Sequence, residues 1–141
     1  MQNSEQWCVV APPMRCPLDI IFVVDESGTM GPRNFANVKS FLSRLVSRLD
    51  IDSGKTRVGL VTFGDDVGTV YNLSAYTSVS SFQSAIMLVR HAGGTTNMAA
   101  AFEYVRKTML TSAAGDRSNV SNVVVVITDG ASDSPSATRV S

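Results

Sequence analysis

The chain has 141 residues, of which 44% are apolar, and its 12 Lys+Arg balance 12 Asp+Glu. That is enough for one compact domain with a sizeable core and too little for two. Zero net charge with only 17% charged residues excludes the broad basic field that binding to nucleic acid or an anionic membrane needs. No apolar run nears the roughly 20 residues that cross a bilayer, so no membrane insertion is expected.

Residues 1–17 read as an N-terminal extension and residues 18–141 as the domain. Met1 to Trp7 is polar and lacks a basic stretch followed by an apolar one, which leaves either a removed leader or an intracellular chain. Cys8 and Cys16 lie among Pro12, Pro13 and Pro17. They fit a mutual bridge, pairing with cysteines elsewhere, or two reduced thiols. Trp7 suits an interface or a cover for the sheet edge. Asn72-Leu73-Ser74 and Asn119-Val120-Ser121 are N-glycosylation sequons and lean toward secretion.

Residues 18–24 (LDIIFVV) form a short apolar run that stops at Asp25, the pattern of a central strand buried on both faces. Pro32 suits a first helical turn, and Phe35, Val38, Leu42, Leu45 and Leu49 recur at helical spacing, predicting a helix to about Asp50. Residues 56–63 (TRVGLVTF) are a second strand and residues 67–73 a third, joined through Gly64-Asp65-Asp66 as antiparallel neighbours. Phe82, Ile86 and Val89 predict a helix over 81–90. Gly93-Gly94-Thr95-Thr96 interrupts the pattern, and Met98, Phe102, Val105 and Met109 predict another helix. Residues 122–128 (NVVVVIT) are a fourth strand, expected to be buried on both faces.

This alternation predicts an α/β fold, doubly wound, with a mostly parallel sheet in the order 3-2-1-4, one antiparallel edge strand and helices on both faces. Two of the strands run into an aspartate, Asp25 and Asp129. In such a sheet ligands sit beyond the carboxyl ends of the strands, where successive connections diverge. That order brings the two aspartates together. In Asp25-Glu26-Ser27-Gly28-Thr29 oxygen-bearing side chains stand at alternate positions, and Gly28 lets the backbone turn so that both hydroxyls aim at one point. Hard cations such as Mg²⁺ are held by one or two carboxylates with hydroxyls and water completing six oxygens.

Three ordered stretches, Asp25-Glu26-Ser27-Gly28-Thr29, Gly93-Gly94-Thr95-Thr96-Asn97-Met98 and Thr128-Asp129-Gly130, resemble the metal-ion-dependent adhesion site of von Willebrand factor type A domains. That family includes integrin inserted domains and many extracellular matrix modules. The resemblance runs from about Leu18 to the end. It implies that Asp25, Ser27 and Thr29 are loop ligands, that Thr96 is the threonine ligand with Thr95 as its competitor, and that Asp129 binds directly or through water. The implied cation is Mg²⁺, with Mn²⁺ or Ca²⁺ as alternatives. Thr29 stands where the family usually has Ser and keeps the hydroxyl. Met98 replaces a threonine not usually counted as a ligand. Glu26 is expected to point into solvent, Asp65 and Asp66 to be turn residues, and His91 to be a surface loop residue.

The resemblance implies a non-enzymatic adhesion or protein-recognition module of a matrix or cell-surface protein. Its partner would be a protein that supplies a carboxylate, such as a matrix protein like collagen. The alternatives are an intracellular type A domain of an ATPase or chelatase accessory subunit, and a structural matrix module whose metal site is idle. No nucleophile elbow, phosphate-binding loop or dinucleotide fingerprint occurs, and the lone His91 has no nucleophile to serve. Against the family's usual six strands this chain reads as C-terminally incomplete. The edge of strand four is therefore expected to be exposed and to favour self-association.

Overall fold

The computed structural model describes residues 17–128. Strand β1 (Leu18–Asp25) is followed by helix α1 (Gly31–Val46), β2 (Thr56–Phe63), β3 (Val67–Tyr71), α2 (Val79–Leu88), α3 (Met98–Tyr104) and β4 (Ser121–Ile127). The order in the sheet is β3-β2-β1-β4. β1 pairs in parallel with β2 and with β4, and β3 runs antiparallel to β2.

Because side chains alternate across a strand, β1 feeds two cores at once. Ile20, Phe22 and Val24 face Phe35, Leu42 and Val46 of α1 and Phe82 and Ile86 of α2. Ile21 and Val23 face Met98 and Ala101 of α3, together with Val105 and Met109. Helices thus cover both faces, as the two-sided apolar run of β1 requires.

Three elements differ from the periodicity. α1 ends at Val46 rather than near Asp50, and Leu49 and Ile51 reach the core from the turn that follows. Beyond Tyr104 the helix widens into a π-turn over Val105–Met109, closed by Leu110 N–H donating to Val105 C=O at 2.9 Å. Val105 and Met109 are both buried in this turn. β4 is not buried on both faces: its first three residues are exposed and the rest half-buried. Among the described residues it has a strand neighbour on one side only, so solvent reaches it from the other.

The lower end of the sheet is closed by an ion pair. Asp19 is fully buried, and Arg117 reaches it through Nη2 at 2.6 Å and Nε at 2.9 Å while donating to the carbonyls of Leu18, Gly54 and Lys55. Asn72 and Asn119 are both exposed. Cys8, Cys16 and Trp7 lie outside the described residues.

Candidate metal centre

The parallel register sets Val24 opposite Ile127, so the ends of β1 and β4 are adjacent. Asp25, the last residue of β1, is fully buried. Its Oδ1 accepts the Ser27 N–H at 2.7 Å and its Oδ2 accepts the Thr128 hydroxyl at 2.9 Å. Two donors, one from the loop after β1 and one just past the end of β4, thus set the plane of the carboxylate.

The loop after β1 bends back beside it. Ser27 is fully buried, Thr29 is exposed, and their hydroxyl oxygens stand 3.0 Å apart. Neighbouring ligands of an octahedral Mg²⁺ with bonds of about 2.1 Å are separated by about 3 Å. The Ser27 and Thr29 hydroxyls hydrogen-bond to each other at that same spacing, so both stand where an edge of such an octahedron could take them, and the oxygens are of the hard type the ion prefers. Among the described residues no three His, Cys, Asp or Glu side chains come together. The donor set around Asp25 is therefore rich in hydroxyls, which fits a hard cation better than zinc-type nitrogen and sulfur ligation.

The glycine-rich loop is laced between two others. Gly28 N–H donates to Gly94 C=O at 2.8 Å and Gly93 N–H to Glu26 C=O at 3.0 Å, while Asn97 N–H donates to Gly64 C=O at 2.8 Å. Gly93 and Gly94 have φ of 81° and 97°, the left-handed region where glycine is at ease. A side chain on Gly94 would press on Asp65. In this loop Thr96 is buried and Thr95 exposed, and Thr95 donates both its N–H and its hydroxyl to Asp65 Oδ1, at 2.8 and 2.9 Å. Those bonds, the backbone one first, hold the Asp65 carboxyl below the usual carboxylate range. Met98 points into the core beneath α3. Asp129 lies outside the described residues.

Two expectations are corrected. Glu26 does not point into solvent: it is 5% exposed, packed beneath Gly64 and against Gly68. Burial pushes its carboxyl up, against the lowering effect of a hydrogen bond from Thr62 and of the nearby His91. Thr62 Oγ1 also accepts from Thr69 N–H at 2.8 Å, so Glu26 joins the end of β1 to β2 and β3. Asp65 is more than a turn residue, since it grips the glycine-rich loop. Sequence spacing carries no signal for either, because their partners lie 30 or more residues away. His91 is half-buried, with Nε2 2.9 Å from Ser27 C=O and its ring 5.3 Å from that of Phe35.

The family model of the von Willebrand factor type A domain matches residues 19–141. Vitrin of Mus musculus is 36% identical over 115 residues, which is 82% of this chain and 18% of vitrin. The collagen alpha-6(VI) chain of Homo sapiens is 35% identical over 112 residues, 79% of this chain and 5% of the collagen chain. This chain therefore spans less than a fifth of these relatives. Among solved structures, proximal thread matrix protein 1 from the mussel byssus superposes with a TM-score of 0.78 at 24% identity, over 84% of this chain and 31% of that one. A further structure of that protein, with a zinc-occupied metal-ion-dependent adhesion site motif, superposes with a TM-score of 0.76 at 28% identity, over 90% of this chain and 32% of that one. The match to the family model runs through the whole described domain, and the chain belongs to the von Willebrand factor type A domain family.

Proposed function

We propose that this domain is a non-enzymatic adhesion or protein-recognition module of an extracellular matrix or cell-surface protein. It binds an acidic side chain of a partner protein through a divalent cation, Mg²⁺ in the first instance, held by Asp25, Ser27, Thr29, Thr96 and Asp129. The observation that carries this reading is the pair of hydroxyls 3.0 Å apart beside a buried, doubly hydrogen-bonded Asp25. Similarity to vitrin, to collagen chains and to a byssal matrix protein supports the extracellular setting, and the zinc-occupied motif of the byssal protein supports cation binding.

The chain's own residues supply the rest of the logic. With Asp25, neutral hydroxyls, and Asp129 bound directly or through water, the protein does not fill all six positions of a hard cation, and a partner carboxylate is a natural occupant of the open one. Thr29 and Thr95 stay exposed around the site, on the surface a partner would meet. The half-exposed β4 supports a further contact, self-association along its outer edge.

Thermal unfolding of the chain against Mg²⁺, Mn²⁺ and Ca²⁺ tests the cation. A ligand at about 100 times its dissociation constant raises native stability by roughly 2.7 kcal/mol, well within reach of a melting curve. A saturable shift that vanishes in Asp25→Ala supports the reading. No shift in folded protein overturns it in favour of a structural matrix module with an idle site.

A further inference from the structure

The loop carrying Thr96 is fastened on both flanks, and the two fastenings differ in kind. On the Asp25 side backbone groups take part, through the Gly28–Gly94 and Gly93–Glu26 hydrogen bonds. On the other side Gly64 C=O accepts the Asn97 N–H at 2.8 Å, and Asp65 adds a side-chain grip. Asp65 Oδ1 accepts from the N–H and the hydroxyl of Thr95 at 2.8 and 2.9 Å, and Asp65 C=O accepts from Asn97 Nδ2 at 3.2 Å. Thr96 is the residue between the two that Asp65 holds.

A residue whose neighbours on both sides are tethered has little freedom left in its own backbone dihedrals, so the direction of its side chain is set as well. Asp65 is exposed and fills no core position. Its bonds cannot be explained as the satisfaction of a buried group. They also occupy the Thr95 hydroxyl, the one group in this loop that would compete with Thr96 as a cation ligand.

We infer that Asp65 is a positioning residue for the cation site: its carboxylate clamps Thr95, while main-chain carbonyls hold Asn97, so that Thr96, buried between them, presents its hydroxyl in one fixed orientation. The inference rests on the proposed reading of Thr96 as a ligand. Groups that orient ligands in this way typically cost roughly 10- to 100-fold in metal affinity when removed.

The test is calorimetric titration of the chain with Mn²⁺ and Mg²⁺, for wild type, Asp65→Ala, Asp65→Asn, Thr96→Ala and the Asp65→Ala/Thr96→Ala double variant, with melting in EDTA as the check on folding. Asp65→Ala is expected to weaken binding by roughly 10-fold or more. Asp65→Asn, whose amide oxygen accepts the same two hydrogen bonds, is expected to recover most of the affinity. In the Thr96→Ala background the loss from Asp65→Ala disappears, because the clamp acts only through Thr96. Wild-type affinity in Asp65→Ala overturns the inference and leaves the cation reading intact. A loss of equal size with Thr96 already removed overturns it too, since Asp65 then acts by its charge or through the fold at large. No binding by wild type overturns the cation reading and this inference with it; full binding by Thr96→Ala overturns Thr96 as a ligand, and so this inference, while cation binding itself stands. If Asp65→Ala does not fold in EDTA, Thr95→Val, which deletes one of the two bonds, takes its place with the same expected direction.

Discussion

Asp25 and Thr128, 103 residues apart, are joined by a 2.9 Å hydrogen bond between the ends of two parallel strands. The bond follows from the register that places Val24 beside Ile127. With the Ser27 N–H on the other oxygen, both ends of a fully buried carboxylate are held before any ligand arrives. A group set in this way loses little freedom on binding a cation.

Asp25→Asn is expected to leave stability in EDTA close to wild type, because the amide still accepts one hydrogen bond and Thr128 can reverse its role. It abolishes stabilisation by Mg²⁺, because the charge is gone. Asp25→Ala removes the acceptor for two donors and is expected to cost about 1–3 kcal/mol without metal. Urea denaturation in EDTA and in saturating Mg²⁺ separates the two effects.

Glu26 supplies a pH signature. Its folded-state pKa lies above its ordinary value of 4.5, chiefly because burial disfavours the charge. An acid raised in this way contributes most below its unfolded pKa, and the contribution is lost as pH rises through the folded value. In EDTA, Glu26→Gln is therefore expected to be more stable than wild type at pH 7. The gap closes below pH 4.5. Chemical denaturation across that range reads it directly, and an unchanged difference at both ends refutes the assignment.

Met98 occupies a place where the family pattern has threonine, yet here it packs in the core with Ile21, Val23 and Val61. Met98→Thr is expected to destabilise the domain by about 2–4 kcal/mol through lost packing. Cation affinity is expected to stay unchanged. Unfolding and metal titration of the same variant check both halves.

Arg117 is the partner of a fully buried Asp19 at the far end of β1. Arg117→Ala leaves that carboxylate buried without its guanidinium, at a cost of about 3–5 kcal/mol. Arg117→Lys is expected to recover little, since an ammonium cannot reproduce the fork that reaches Asp19 and three carbonyls together. Mg²⁺ affinity of the folded fraction is expected to match wild type, because Asp19 and Asp25 lie at opposite ends of the strand.

Much of the architecture was legible in the residues alone. The run TRVGLVTF predicts a strand over 56–63, and β2 is Thr56–Phe63. The unbroken apolar run of β1 predicts cover on both faces, and α1 and α3 provide it. These are local properties: a strand alternates and a helix repeats whatever lies elsewhere in the chain. The strand order 3-2-1-4 was equally plain, because short loops between elements leave few ways to wind the sheet.

What the tertiary structure alone decided concerns groups whose partners come from afar. α1 stops four residues short of Asp50, and Leu49 and Ile51 are buried from the turn that follows, a placement set by the core they join. Glu26 reads as a solvated loop residue until the β2–β3 turn closes over it. Thr95 and Thr96 are the same residue in tandem, and only the folded chain makes one an exposed partner of Asp65, reaching across from another loop, and the other buried. Periodicity records which face of an element is apolar. It carries no term for how three loops, remote in sequence, share their hydrogen bonds once the sheet has brought them together.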